Sequence, residues 1–215
     1  MIILLLTTHV LPHTQRNLEL ASQQSGVPIN LSWEPFLLNP RMEPEGEDLK
    51  EHLTNKYGAA AVRNFDSQSS PMVRAGQAVG INFKMDRNIY PTVQAHSVIE
   101  YVKEELGDVT KSNQIMEELY KRYFEQGQNI NSVPVLQDVC RQFGITDQEK
   151  VQQVAEDSSR HEKVFAKDRK AKNQMNIHGV PFYIIEQHDG STPVGFSGAQ
   201  PPDFIAEYLQ EAAGN

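Results

Sequence analysis

Cysteine is nearly missing from this chain: Cys140 stands alone among 215 residues. No intramolecular disulfide can form, and no cluster of thiolates is available to bind zinc. Positive charge is also in short supply. Twenty Lys and Arg face twenty-eight Asp and Glu, for a net charge of −8, which argues against nucleic acid or an anionic membrane as the main partner. Long apolar runs are absent as well. The longest near the start, Ile2 to Leu6, is too short to span a bilayer. It lacks a basic leader and is shorter than the apolar stretch of a signal peptide. It reads as a buried strand of a cytoplasmic protein. The glycine-containing loops carry no phosphate-cradling pattern.

What is present is the composition of a globular protein, 39% hydrophobic and 22% charged, with length for one large domain or one domain carrying an insertion. The Ile2–Leu6 run, ending at Thr7-Thr8, suits a strand covered on both faces. Residues Thr14 to Gln24 follow as a helix with Leu18, Ala21 and Ser22 on one side, closed by Gly26. Val27 to Trp33 alternates as a second strand, with Val27, Ile29, Leu31 and Trp33 on one face. A β-α-β unit of this kind implies a parallel pair. Prolines at 35, 40 and 44 mark a change of architecture.

From Asp48 to Asn176 the pattern is helical throughout. Ala95, Ile99, Val102 and Leu106 form one amphipathic stripe. Ile115, Met116, Leu119, Tyr120, Tyr123 and Phe124 form a second, ended by Gly127. Val135, Leu136, Val139, Cys140 and Phe143 form a third, ended by Gly144. Thr146 and Glu149 have capping-box spacing, and one long helix, or two in series, runs to Asn176. Phe182 to Glu186 and Val194 to Ser197 then read as an antiparallel hairpin, and Pro201-Pro202-Asp203 opens a last helix. The order is β-α-β, a helical insertion, then β-β-α. It is an α/β chain with a thioredoxin-like fold: residues 1–40 and 177–215 form the core, and 41–176 form an all-helical domain inserted after the second strand, its last helix returning to the core.

The turn His178-Gly179-Val180-Pro181 joins helix to strand. Read locally, Pro181 is an ordinary trans proline opening an edge strand; a cis bond would turn the Val180 backbone outward, toward an extended ligand. His178 borders that corner and is as well explained by a solvated turn as by ligand contact. His9 and His13 have helical spacing for a metal, but Pro12 interrupts them and no third ligand follows, so no metal is expected. His96 reads as a structural, hydrogen-bonded histidine and Cys140 as a buried structural cysteine. The basic run Lys167 to Lys172 reads as a solvated helix face.

Several segments together resemble the DsbA-like thioredoxin-domain family, in particular its FrnE-type branch. They are Trp33-Glu34-Pro35-Phe36-Leu37-Leu38-Asn39-Pro40 with Pro44-Glu45-Gly46, Ala95-His96, and Tyr123-Phe124 with Gly127. Gly179-Val180-Pro181-Phe182 and Ser197-Gly198-Ala199-Gln200-Pro201 complete the set. The resemblance implies a thioredoxin fold, a cis-proline at Pro181 and thiol–disulfide exchange. It also exposes a departure. Arg16-Asn17-Leu18-Glu19 matches the start of the family's first helix, which puts Thr8-His9-Val10-Leu11 where Cys-x-x-Cys belongs. Exchange needs a low-pKa attacking thiolate and a resolving thiol beside it, so this chain is expected not to perform it. Either the scaffold is redox-inactive or the first dozen residues are a mis-called start. Related kappa-class glutathione transferases and 2-hydroxychromene-2-carboxylate isomerases place a serine at the first cysteine. By that likeness Thr8 is the candidate catalytic group, with His178, Gly179, Val180 and Pro181 as substrate contacts. The expected partner is a thiol-containing peptide or glutathione as co-substrate, with no other cofactor. A non-catalytic peptide-binding protein is the remaining reading.

Overall fold

The N-terminal apolar run is strand β1 (Ile2–Leu6) in the computed structural model, which describes residues 2–6, 13–60, 62–67, 70–77, 80–186 and 192–214. Helix α1 (His13–Ser25) carries the chain across to β2 (Leu31–Pro35), parallel to β1. On its other side β1 pairs antiparallel with β5 (Phe182–Ile185), which pairs antiparallel with β6 (Val194–Ser197). The sheet order is therefore β2-β1-β5-β6. Strand β2 starts at Leu31 rather than at Val27, and the end of α1 is the reason. The Ser22 hydroxyl donates to the Val27 carbonyl at 2.7 Å, and Ser25 Oγ accepts from the Val27 N–H at 3.2 Å. Val27 is thus held in the turn, with Gly26 at φ 69°, and is withheld from the ladder.

Strand β2 is one edge of the sheet, and an uncovered edge invites pairing with another chain. Side chains from the insertion occupy it instead. Asn113 Nδ2 donates to the Leu31 carbonyl at 3.0 Å and Lys103 Nζ to the Trp33 carbonyl at 2.8 Å.

Between β2 and β5 lie α2 (Leu49–Tyr57), α3 (Pro71–Gln77), α4 (Val93–Glu100), α5 (Val109–Phe124), α6 (Val133–Gln142), α7 (Gln148–Glu156) and α8 (Ser158–Asn173). The insertion is not wholly helical: β3 (Glu47–Asp48) and β4 (Asn88–Ile89) form a short antiparallel ribbon. Gly46 makes it possible, since its φ is +70° and a Cβ there would collide with the Ile89 carbonyl. Helix α4 continues as a π-helical turn, Tyr101–Glu105, in which the Leu106 N–H reaches the Tyr101 carbonyl five residues back. The wider turn sets back the helical register. Ala95, Ile99 and Val102 are buried, while Leu106, expected on the same stripe, is 45% exposed. The α5 stripe is buried in full. Asp147, not Thr146, caps α7, accepting from the Lys150 N–H at 2.9 Å. The last long stretch is two helices, with Asp157 ending α7 and capping α8.

Helix α9 (Pro202–Ala213) packs along α1 and buries Ile205, Ala206 and Leu209. Phe204 and Tyr208 are half-buried against Phe196. One contiguous set of buried side chains runs from Leu18 in α1 and Tyr183 in β5 to Val139 and Val154 in the insertion. Trp33 and Tyr120 meet edge to face at the junction, 6.5 Å between centroids.

Candidate functional site

Helix α8 ends in a short run that reverses the chain into the sheet. The Ile177 N–H donates to the Ala171 carbonyl at 3.0 Å, and Asn176 adopts φ 55°. Asparagine tolerates the left-handed region because its short amide bonds locally. Here Asn176 Oδ1 lies 2.8 Å from His178 Nε2, and His178 is exposed. The Val180–Pro181 peptide is cis. Beneath the corner sits a small buried cluster of Phe36, Ala171, Ile177 and Ile184, with Val180 and Phe182 packed against it. The segment after β2 and the turn before β5 therefore share one apolar support.

Residues 197–200 tie this corner to α1. The Gly198 N–H donates to the Pro181 carbonyl at 2.9 Å. Gln200 Nε2 donates to the Ser197 carbonyl at 2.8 Å, and the Gln200 carbonyl accepts from Asn17 Nδ2 at 2.9 Å. One turn of chain thus holds Pro181 from one side and the second turn of α1 from the other. The sequence marked Ser197–Pro201 as a motif; its role as a brace was not legible, because Asn17 carries no pattern of its own. Burial of the neighbouring Tyr183 pushes its phenol up to about 12.

The segment after β2 is pinned from below by α8. Asp168 Oδ1 accepts from the Leu37 N–H at 2.8 Å, and Lys172 Nζ donates to the Leu37 carbonyl at 2.6 Å. Lys172 also pairs with Asp168 at 2.8 Å and lies 4.7 Å from the centroid of the Phe36 ring. Just before that segment, Glu34 pairs with Lys103 at 2.7 Å and with Lys167 at 3.1 Å. Lys103 reaches Glu100 at 2.6 Å, and Lys167 reaches both Glu100 and Glu104. Burial lifts the Glu100 carboxyl above its ordinary value, with Lys103 opposing. Burial alone would lower the Lys167 ammonium, but Glu100, Glu104 and Glu34 outweigh it and hold it high. The expectation of a solvated basic face holds for half of the run: Arg169 and Lys170 are exposed, while Lys167 and Lys172 are structural cations.

His96 is buried at 3% exposure as expected, but among the described residues its Nε2 has no hydrogen-bond partner. Burial, then the charge of Lys103, lowers it to about 4. Cys140 is fully buried in α6 and its thiol is pushed up to about 12 by burial. The structure brings His178, Gly179, Val180 and Pro181 together in one turn. Thr8, with His9, Val10 and Leu11, lies outside the described residues, as does the loop His188-Asp189-Gly190. Among the described residues no group of His, Cys, Asp and Glu gathers as a metal site, and no helix is long and apolar enough to cross a membrane.

A parallel β-α-β unit, an antiparallel β-β-α unit and a helical insertion between them define a thioredoxin-fold protein. The chain belongs to the DSBA-like thioredoxin domain family, whose model matches residues 13–210. A probable DsbA oxidoreductase from Streptomyces coelicolor has a similar structure: TM-score 0.79, 20% identity, covering 100% of this chain and 90% of that one. The cytosolic disulfide reductase DsbM from Pseudomonas aeruginosa is similar at TM-score 0.56 and 13% identity, covering 99% and 98%. Its structure with GSH is similar at TM-score 0.57 and 13% identity, covering 100% and 99%. Among curated proteins no sequence matches. The fold is that of thiol–disulfide oxidoreductases, carried by a chain with one cysteine, buried.

Proposed function

We propose that this chain is a binding member of the FrnE-type branch, holding a thiol-bearing peptide, with glutathione the simplest, at the Val180–Pro181 corner without cycling a disulfide itself. One observation carries the reading. Among the described residues the Val180 N–H and C=O pair with nothing, while the backbone on either side, at Ile177 and Pro181, is held. A free donor and acceptor on one residue beside a sheet are what an extended peptide pairs with. The Ser197–Gln200 brace keeps α1 beside that corner, and the unpaired N–H groups of a helix start favour a thiolate or carboxylate. The redox half of the reading follows from Cys140, whose buried thiol offers neither an attacking thiolate nor a neighbour to resolve it. The DsbM structure with GSH supports glutathione as the ligand to try first. A protein whose ligand is a reduced thiol belongs in a reducing compartment, the cytoplasm.

Thr8 donates a hydrogen bond to the bound sulfur in this reading, favouring the thiolate. That is the activation a glutathione-dependent transferase or isomerase would use. The test is titration of reduced glutathione, followed by calorimetry and amide shifts, on the wild type and on Thr8→Val. Saturable binding at millimolar ligand with shifts at Gly179 and Val180 is expected, weakened in the variant by about 1 kcal/mol. Absence of binding at millimolar glutathione would sink the assignment. Equal affinity in both proteins would remove Thr8 and leave the corner.

A further inference from the structure

Helix α2 walls a cavity of about 390 Å³ together with Leu37 to Asn39 and Ile89 to Thr92. None of its lining residues belongs to α1 or to the Ile177–Pro181 turn. Its volume lies in the range of small-molecule sites. Leu49 and Ile89 are buried in its wall, yet Leu38 and Tyr57 at the same cavity are 48% and 60% exposed. Exposure of two large apolar side chains around one concavity is a cost that a ligand would relieve.

Its one charged lining residue is Lys56. His52 and Lys56 are one turn apart on α2 and both line the cavity. His52 Nδ1 donates to Glu47 Oε1 at 2.8 Å, which fixes the ring in the cavity wall and leaves Lys56 as the group that meets an anion. Lys56 has no carboxylate within ion-pair distance among the described residues; its Nζ lies 5.3 Å from the centroid of the Tyr57 ring. The opposite wall offers the hydroxyl of Thr92, which starts α4 without making the capping bond usual at that position.

We propose that this cavity is a binding site for a small apolar anion. An alkyl or aryl body lies among Leu49, Leu53 and Ile89, and its carboxylate meets Lys56 Nζ. Apolar walls supply most of the binding, and the Lys56 ammonium orients the ligand, the usual division of labour in such pockets. A neutral body alone would leave Lys56 without a counter-charge, which is why the anion is specified.

The experiment uses 4-phenylbutyrate and its uncharged counterpart 4-phenylbutan-1-ol, each titrated into the full chain at fixed pH and salt, by calorimetry and amide shifts. The acid is expected to bind saturably, with shifts confined to α2 and residues 37–42 and 89–92, and about tenfold more weakly to Lys56→Gln. The alcohol is expected to bind wild type and variant equally and more weakly than the acid does. Lys56 is an exposed side chain on the last turn of α2, so the variant keeps the fold. Equal affinity for acid and alcohol, an unchanged affinity in Lys56→Gln, shifts elsewhere, or no binding at millimolar acid would each overturn the proposal.

Discussion

His96 shows how much one buried group can impose. It is buried, has no partner for Nε2 among the described residues and sits close enough to Lys103 to feel its charge, so the neutral ring is the form the fold accepts. The folded value, about 4, lies below the ordinary 6.5. The stabilisation is therefore complete above pH 6.5 and is lost as pH falls toward 4, because the unfolded chain takes up the proton first. Over that window wild type should lose on the order of 3 kcal/mol more than His96→Met, measured by urea unfolding at pH 7, 5.5 and 4. Parallel pH profiles for the two proteins would show that His96 does not titrate as its surroundings require. The type and burial of this residue were legible from Ala95-His96 in a helical stripe. The unpaired nitrogen was not, since it depends on what fails to approach from other elements.

At the scale of elements, α8 decides where the chain goes after β2. Its inward residues Asp168 and Lys172 hold Leu37 by both backbone groups, and Ala171 between them packs on Phe36. Asp168→Ala should cost about 2 kcal/mol, because it strands the buried Leu37 N–H; Lys172, partly exposed, can turn to water. Asp168→Asn keeps an acceptor and should cost less. Urea melts together with hydrogen exchange at Leu37 check both, and an unchanged Leu37 exchange rate in Asp168→Ala would break the argument. Element boundaries followed the same division between local and distant causes. The α5 stripe was readable because six apolar residues repeat at helical spacing. The start of α7 was misplaced because Thr146 and Asp147 both have capping chemistry. The turn bond from Gln148 Nε2 to the Ile145 carbonyl, at 2.8 Å, accompanies the choice of Asp147.

The molecule as a whole keeps the scaffold of a redox family with its single thiol buried in the insertion. Its core is continuous between sheet and insertion, and nothing in that packing requires the two missing cysteines. Wild type is therefore expected to show only background reduction of insulin. A Thr8→Cys, Leu11→Cys protein should acquire a measurable reduction potential against glutathione buffers. Activity in wild type that survives Cys140→Ser would overturn this, since no thiol would remain.

Fold class, the order of the core elements, the proline corner and the lack of a Cys-x-x-Cys pair could all be read from the chain alone. Each is written in residues close together, as a repeat of two or 3.6 positions or a short motif. Which polar groups meet could not be read that way. Glu34 finds Lys167, Leu37 finds Asp168 and Asn17 finds Gln200 across large separations in sequence. The same basic run yields two solvated side chains and two structural cations because α8 turns only one face toward β2. The cavity beside α2 likewise exists only once residues 37–39 and 89–92 are folded against that helix. Burial and electrostatics depend on distance in space, and the helical register, shifted by the π-helical turn, sets those distances.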